Sequence, residues 1–186
     1  MVYKTQGTCS REIHFDVENN KLKNVSFVGG CNGNLKGIGL LVEGMDIDEA
    51  EKMAREMVAR TETFFSVNTL DYLQKGGRIG AVGALIGSIF GIRPIVHLDK
   101  EGRLEVADKC RTRKKVMKRM VEMAAEKAPI EAIFVAHAEA LADAEDLKQQ
   151  LQGLFPNVPT MLTGIGTVLA AHLGPGAIGV FVRRKA

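Results

Sequence analysis

The sequence predicts an α/β fold in which helices lie on the faces of a mixed β-sheet, preceded by an N-terminal β-hairpin. Three observations predict it. From about residue 49 onward, short apolar runs of strand length alternate with longer segments whose apolar residues recur three and four apart, the signature of alternating strands and helices. Two strand pairs are joined by short turns, at Asn19-Asn20 and at Asp99-Lys100-Glu101-Gly102, so those neighbours run antiparallel and the sheet is mixed. The 186 residues are 46% hydrophobic and 25% charged, too apolar for a disordered chain and long enough for one core with a small attachment.

In chain order, Ile13, Phe15 and Val17 alternate with polar residues over 12–18, which reads as a half-buried strand. Asn19-Asn20 is turn chemistry and 21–28 the return strand, so 12–28 forms a hairpin. The glycine-rich 29–34 is a tight turn, and 35–42 a short apolar helix. Asp46 and Asp48 supply capping carboxylates for a helix over 49–60, where Ala50, Met53, Met57 and Val58 recur at helical spacing. A strand at 63–67 follows, then a turn or two of helix at 70–73 closed by Gly76-Gly77, an apolar small-residue helix at 79–90 and a strand at 94–98. The turn at 99–102 leads into a strand at 103–107, and 112–127 forms a long amphipathic helix with Val116, Met120 and Met123 or Ala124 inward. The rest reads as a buried strand at 130–137, a helix at 143–154, a short strand at 159–162, a helix or turn at 164–173 and a closing strand at 178–182. Glycine-rich hairpin sequence gives way to helix–strand alternation near residue 48, which divides the chain into 1–48 and 49–186 without a flexible linker.

Several function classes are excluded or disfavoured. A net charge of +3 calls for neither a nucleic-acid nor a membrane partner. Cys9, Cys31 and Cys110 are odd in number and far apart, unlike a secreted disulfide framework. The first fifteen residues contain no apolar leader, and the most apolar run, 81–95, is interrupted by Gly83, Gly87, Gly91 and Arg93. No membrane span and a cytoplasmic location are therefore expected. No phosphate loop, nucleophile elbow, zincin pair or Cys-x-x-Cys is present, so no catalytic residue, no metal ligand and no cofactor is assigned. Cys9 and Cys31 could face each other across the hairpin, but two thiols are too few for zinc unless His14 or a second chain contributes.

Four constellations carry chemistry. In Gly76-Gly77-Arg78-Ile79-Gly80 the arginine stands at the start of the next helix, electrostatically misplaced unless it holds an anion such as a carboxylate; a solvated arginine after a C-cap is the plainer reading. In His172-Leu173-Gly174-Pro175-Gly176 a histidine ends an apolar stretch before a turn of fixed shape. It could give one N–H to a ligand oxygen, or be a satisfied boundary residue like His97 and His137. Residues 109–119 hold seven basic side chains and no acidic one. Without interleaved aromatics they fit an acidic protein partner better than nucleic acid, and equally a solvated face. The small residues of 80–90 would admit either core packing or an acyl chain.

From about Asp48 onward the chain resembles the C-terminal part of DegV-family fatty-acid-binding proteins. The run Asn68-Thr69-Leu70-Asp71-Tyr72-Leu73-Gln74-Lys75-Gly76-Gly77-Arg78-Ile79-Gly80 is similar to the family's main motif. It is followed in the same order by Gly91-Ile92-Arg93-Pro94-Ile95, the basic segment 109–115, Val135-Ala136-His137-Ala138 and Ala171-His172-Leu173-Gly174-Pro175-Gly176-Ala177. The resemblance implies a long-chain fatty acid in an apolar slot lined in part by 81–90, with its carboxylate at the junction of two domains. It implies that Arg78, His172, Gly174 and Gly176 belong to the ligand site and that Arg111 and Arg113 face a partner protein. In some members that partner is a kinase subunit that phosphorylates the carboxylate, so the binding protein is a carrier rather than an enzyme. Residues 1–48 depart from the pattern. They stand where the family has a separate α/β domain whose hydroxyls grip the carboxylate, and that domain is expected to be missing. Gly7-Thr8-Cys9-Ser10-Arg11-Glu12-Ile13, then Val28-Gly29-Gly30-Cys31-Asn32-Gly33-Asn34 and Val42-Glu43-Gly44-Met45-Asp46, resemble instead the first half of TSCPD-type domains. The junction near residue 48 is then a natural fusion or a recombinant or designed chimera.

The expectation is thus a non-enzymatic fatty-acid carrier, or a remnant of one, with a homodimer as one way to cover an open slot. The alternative is a ligand-free structural or regulatory module.

Overall fold

Asn19 and Asn20 both take positive φ, 51° and 63°, the conformation a two-residue type I′ turn requires and one that asparagine tolerates. On either side of that turn, β2 (Ser10–Glu18) pairs antiparallel with β3 (Lys21–Gly29). The computed structural model describes residues 1–6, 8–85 and 91–186, in two compact units, Met1–Met57 and Val58–Ala186.

In the first unit, β1 (Val2–Lys4) adds to the free edge of β2 and makes the sheet three-stranded. Three residues are too few to show a period, which is why the sequence pattern does not announce this strand. The β2–β3 register shifts between His14 and Asp16, where Asn24 takes φ 53° and its Nδ2 donates to Asp16 Oδ2 at 3.0 Å. The irregularity breaks the expected apolar face: Ile13 and Phe15 are half-buried, but Val17 is exposed. Helix α1 (Asn32–Val42) packs on β3. Helix α2 (Ile47–Arg60) begins two residues before the expected 49, so Asp48 lies in its first turn and Asp46 caps it, with Asp46 Oδ1 accepting from the N–H of Asp48 at 2.9 Å. Its expected inward face is realised at Ala50, whereas Met57 and Val58 are exposed.

The second unit is built on a six-stranded sheet. Its strands are β4 (Thr61–Ser66), β5 (Arg93–Leu98), β6 (Leu104–Cys110), β7 (Ile130–His137), β8 (Thr160–Gly164) and β9 (Ile178–Arg184), in the spatial order β6-β5-β4-β9-β7-β8. Only β7 and β8 are parallel, and α5 (Leu141–Leu154) supplies the crossover such a pair needs. Thr112 caps α4 (Arg113–Ala125), its Oγ1 accepting from the Lys115 N–H at 3.2 Å. Val116, Met117, Met120, Met123 and Ala124 of α4 are buried with Ala144, Leu147 and Leu151 of α5. They pack on one sheet face through Phe64, Ile95, Ile133, Val135, Ile178, Val180 and Val182. At one end of the opposite face, α3 (Asp71–Lys75) and α6 (Thr167–Leu173) close a second cluster of Val67, Leu73, Ala138, Leu173 and Ala177.

One expected helix takes another form. Gly80–Leu85 is a 3₁₀ helix, since Gly80, with φ 48°, and Gly83 weaken an α-helix in this run. The rest of the predicted apolar helix, 86–90, lies outside the described residues. Among the described residues no helix is long and apolar enough to cross a membrane, and no group of three or more His, Cys, Asp or Glu is placed to hold a metal ion.

Candidate functional site

Two turns close on each other at one end of the larger sheet. The first leaves β4 through buried Val67 and exposed Asn68, and Thr69 Oγ1 accepts from the Asp71 N–H at 3.2 Å as α3 begins. It ends at Gly76-Gly77, with Gly77 at φ 68°. The second is Gly174-Pro175-Gly176, between α6 and β9. It is tied to the end of β7 by Gly176 N–H donating to Ala138 O at 2.6 Å and Ala138 N–H donating to Ala177 O at 2.9 Å.

The turns interlock because three glycines admit three side chains. A Cβ on Gly174 (φ 76°) would lie 2.3 Å from Tyr72 Cδ2, and one on Gly176 (φ 80°) 1.8 Å from Asn68 Nδ2. A Cβ on Gly76 would lie 2.3 Å from His172 Nδ1. Gly174 and Gly176 therefore contribute to this junction through their backbone, which seats Tyr72 and Asn68. Asn68 is the polar hub: its Nδ2 donates to Pro175 O at 3.2 Å, and its Oδ1 accepts from Arg93 Nη1 at 2.5 Å.

Arg78 and His172 come together at Gly76. Arg78 is exposed, and its Nη1 donates to Gly76 O at 2.8 Å. That carbonyl orients the guanidinium; Arg78 precedes a short 3₁₀ turn rather than an α-helix, so the helix-dipole argument for a bound anion no longer applies. The His172 ring is half-buried, and its Nδ1 is shut off from solvent without a hydrogen-bond partner. An orphaned buried N–H is costlier than an orphaned lone pair. A proton on Nε2 rather than Nδ1 avoids an orphaned buried N–H there and would leave Nε2–H as the donor.

An apolar surface extends from this junction. Phe134 in β7 stands opposite Phe181 in β9 and Met161 in β8, and Phe65 lies two residues along β4 from Thr63, the partner of Phe181. All four share the face occupied by Val67, because side chains alternate along each strand. The phenylalanines are half-buried and Met161 is 50% exposed. Val82 of the predicted slot helix is buried; residues 86–90 lie outside the described residues. A groove of about 540 Å³ lies elsewhere, in the first unit between β3 and α1, lined by Val25, Phe27, Leu35 and Leu40 among others. None of the residues predicted to bind ligand lines it.

The basic segment separates into two kinds of side chain. Arg113 is used within the fold: Nε donates to Asp143 Oδ2 at 2.8 Å, joining α4 to α5, and both Nη atoms are buried without a partner. Arg119 is engaged too, donating to Asp108 Oδ2 at 2.7 Å and Glu126 Oε1 at 2.8 Å. The Arg119 hydrogen bond, helped by the Lys109 N–H, holds the Asp108 carboxyl below its ordinary value. Arg111, Lys114, Lys115 and Lys118 are exposed. Of the two arginines predicted to face a partner, Arg111 is exposed and Arg113 half-buried.

Sequence chemistry assigned no role to Asn68, Tyr72 or Arg93. The spaced Gly174 and Gly176 signal that something approaches closely, but not what does; only the fold supplies the partners.

A family model described as "Uncharacterised protein, DegV family" matches residues 35–185, starting earlier than the compositional shift near residue 48. A DegV domain-containing protein of Streptomyces coelicolor is 40% identical over 146 residues, 76% of this chain and 51% of that protein. Among solved structures, a fatty acid binding DegV family protein from Streptococcus agalactiae is 32% identical with a TM-score of 0.71, covering 86% of this chain and 58% of that one. DegV, a fatty acid binding protein from Bacillus subtilis, is 31% identical with a TM-score of 0.62, over 74% and 50%. This chain thus spans about half the length of the curated relatives it matches.

Proposed function

The chain belongs to the DegV family, and on that premise we propose that it is a non-enzymatic binding protein for a long-chain fatty acid. The observation that carries the reading is the meeting of Arg78 and His172 around Gly76, at the end of the sheet whose same face bears Phe65, Phe134 and Phe181. A guanidinium and an imidazole N–H suit a carboxylate, and the phenylalanine face suits an acyl chain, at about 0.8 kcal/mol per buried methylene. The family likeness supports the ligand class, since relatives solved from Streptococcus agalactiae and Bacillus subtilis are described as fatty acid binding.

Two finer readings accompany it. Arg111, with Lys114 and Lys115, forms the exposed part of a docking surface for an acidic partner, of which a fatty-acid kinase subunit is the family-type example; the exposure of these cations at the β6–α4 junction supports this. The hairpin of the first unit is a TSCPD-like segment, supported by its Cys9 and Gly29-Gly30-Cys31 sequence.

Denaturing extraction and mass spectrometry of lipid carried by the purified folded protein test the main reading. Near-stoichiometric fatty acid is expected in the parent and markedly less in an Arg78→Ala, His172→Ala variant. A well-folded parent without fatty acid, and unable to take it up from a micellar supply, would show the reading to be wrong.

A further inference from the structure

The hairpin of the first unit brings together two thiols that the lipid-binding reading does not use. The last rung of the β2–β3 ladder is Ser10 opposite Gly29, so Cys9 leaves the ladder opposite Gly30. There Gly29 and Gly30 take φ of 78° and 77°, two successive left-handed residues that bend the chain sharply. Cys9 Sγ lies 3.1 Å from the point a Cβ on Gly30 would occupy, and Cys31 is the next residue along. Burial together with the neighbouring Cys9 thiol pushes the Cys31 thiol up. Cys31 also occupies the N-cap position of α1 without a side-chain cap bond, so its sulfur is not committed to the helix end. Cys9 is exposed, Cys31 half-buried and Cys110 buried in the other unit. No third ligand stands with the pair among the described residues, which leaves thiol–disulfide chemistry as the use of two adjacent sulfurs.

We propose that Cys9 and Cys31 are a redox-modification site that closes to an intramolecular disulfide by exchange with a small-molecule disulfide. The exposed Cys9 thiolate attacks one sulfur of glutathione disulfide; the S–S bond breaks, and one glutathione leaves as thiolate and takes up a proton. The Cys31 thiolate then attacks the Cys9 sulfur of the mixed disulfide and expels the second glutathione. Two protein thiols have lost two electrons and two protons, and one glutathione disulfide has become two glutathione thiols. The product cross-links the two strands at the open end of the hairpin, at the entry to α1.

The test incubates the full chain with glutathione disulfide and follows it by intact mass, peptide mapping and thiol titration. The folded parent is expected to lose two hydrogen atoms in mass and to yield a Cys9–Cys31 cross-linked peptide. Its titratable thiols fall from three to one in denaturant, and dithiothreitol restores them. Cys31→Ser is expected to accumulate a glutathione adduct on Cys9 instead. Closure in urea is expected to be at least about tenfold slower, because the unfolded chain no longer holds the sulfurs at high effective concentration. A lasting adduct on Cys9 of the folded parent would overturn the proposal, as would linkage through Cys110 or closure no faster folded than unfolded.

Discussion

Gly174→Ala tests whether the two turns are held by close approach. Gly174 has φ 76° and ψ 171°, a region essentially reserved for glycine, and forcing another residue there costs about 1–3 kcal/mol. The new Cβ would also lie 2.3 Å from Tyr72 Cδ2 and 2.6 Å from Cε2. Carbon contacts settle near 3.5–4.0 Å, so the ring must move by more than an ångström, an overpacking cost of about 1–3 kcal/mol. The two contributions give about 2–6 kcal/mol. Because Tyr72 is 37% exposed, its ring can swing toward solvent, and the lower half of that range, about 2–4 kcal/mol, is expected. Urea unfolding followed by hydrogen exchange at the β9 amides reads the second unit alone. A double variant with Tyr72→Ala separates the two causes: removing the ring abolishes the steric share and leaves the backbone share. A Gly174→Ala variant within about 0.5 kcal/mol of the parent, or one whose loss is the same with and without the Tyr72 ring, refutes the close-approach argument.

If His172 donates through Nε2–H, His172→Gln should keep more fatty-acid affinity than His172→Asn, whose amide reaches only the Nδ1 position. Losing the charge-assisted bond should weaken binding roughly ten- to a hundredfold in a titration with a fluorescent fatty acid, and equal losses in the two variants would contradict the tautomer. Thr112→Ala removes the cap on the Lys115 N–H and should cost about 1 kcal/mol in urea unfolding; no change would mean that α4 is capped otherwise. Asp108 has a folded pKa held below its ordinary 3.8 by Arg119, so its stabilisation is fully present above that value and lost as pH falls through the folded value. The stability gap between parent and Asp108→Asn should therefore be constant above pH 5 or so and close below 3.8; a gap that persists in acid would mean that the ion pair is not its cause.

How much of the architecture was legible depended on whether a signal was local. Asn19-Asn20 between alternating strands specified a hairpin, and Asp46 announced its helix because capping is settled within one turn, whereas the turn type and the Thr112 cap are visible only in the structure. Val116, Met120 and one of Met123 or Ala124 were expected inward from helical period alone, and the structure buries both. The β2–β3 irregularity at Asn24 was not legible in this way, since it depends on which residues face one another across the ladder. Period also misjudged α2, where Met57 and Val58 recur at core spacing yet are exposed, because spacing specifies a face and not what covers it. In the candidate site, the sequence supplied Arg78 and His172 as polar groups with no evident partner. It could not show that both meet at Gly76, that Asn68 bridges Arg93 and Pro175, or that Arg113 is tied to Asp143, because each contact joins segments far apart in the chain.

The same contacts explain why short glycine motifs surround so few charged groups here. A carboxylate site on two loops needs its donors fixed to within a fraction of an ångström, and flexible turns do not provide that. At this junction rigidity comes from side chains pressed onto glycine backbone, Tyr72 on Gly174, Asn68 on Gly176 and His172 on Gly76, with Arg93 and the Pro175 carbonyl fixing the amide of Asn68. A Cβ at any one of these glycines forces the facing side chain to shift, at the junction where the Gly76 carbonyl also holds the Arg78 guanidinium. On the proposed reading, the residues that lock the two turns together set how well Arg78 and His172 can hold a carboxylate. On this reasoning Asn68→Ala should weaken fatty-acid binding in the fluorescent titration although Arg78 and His172 are both retained, and unchanged affinity would show that Asn68 does not position them.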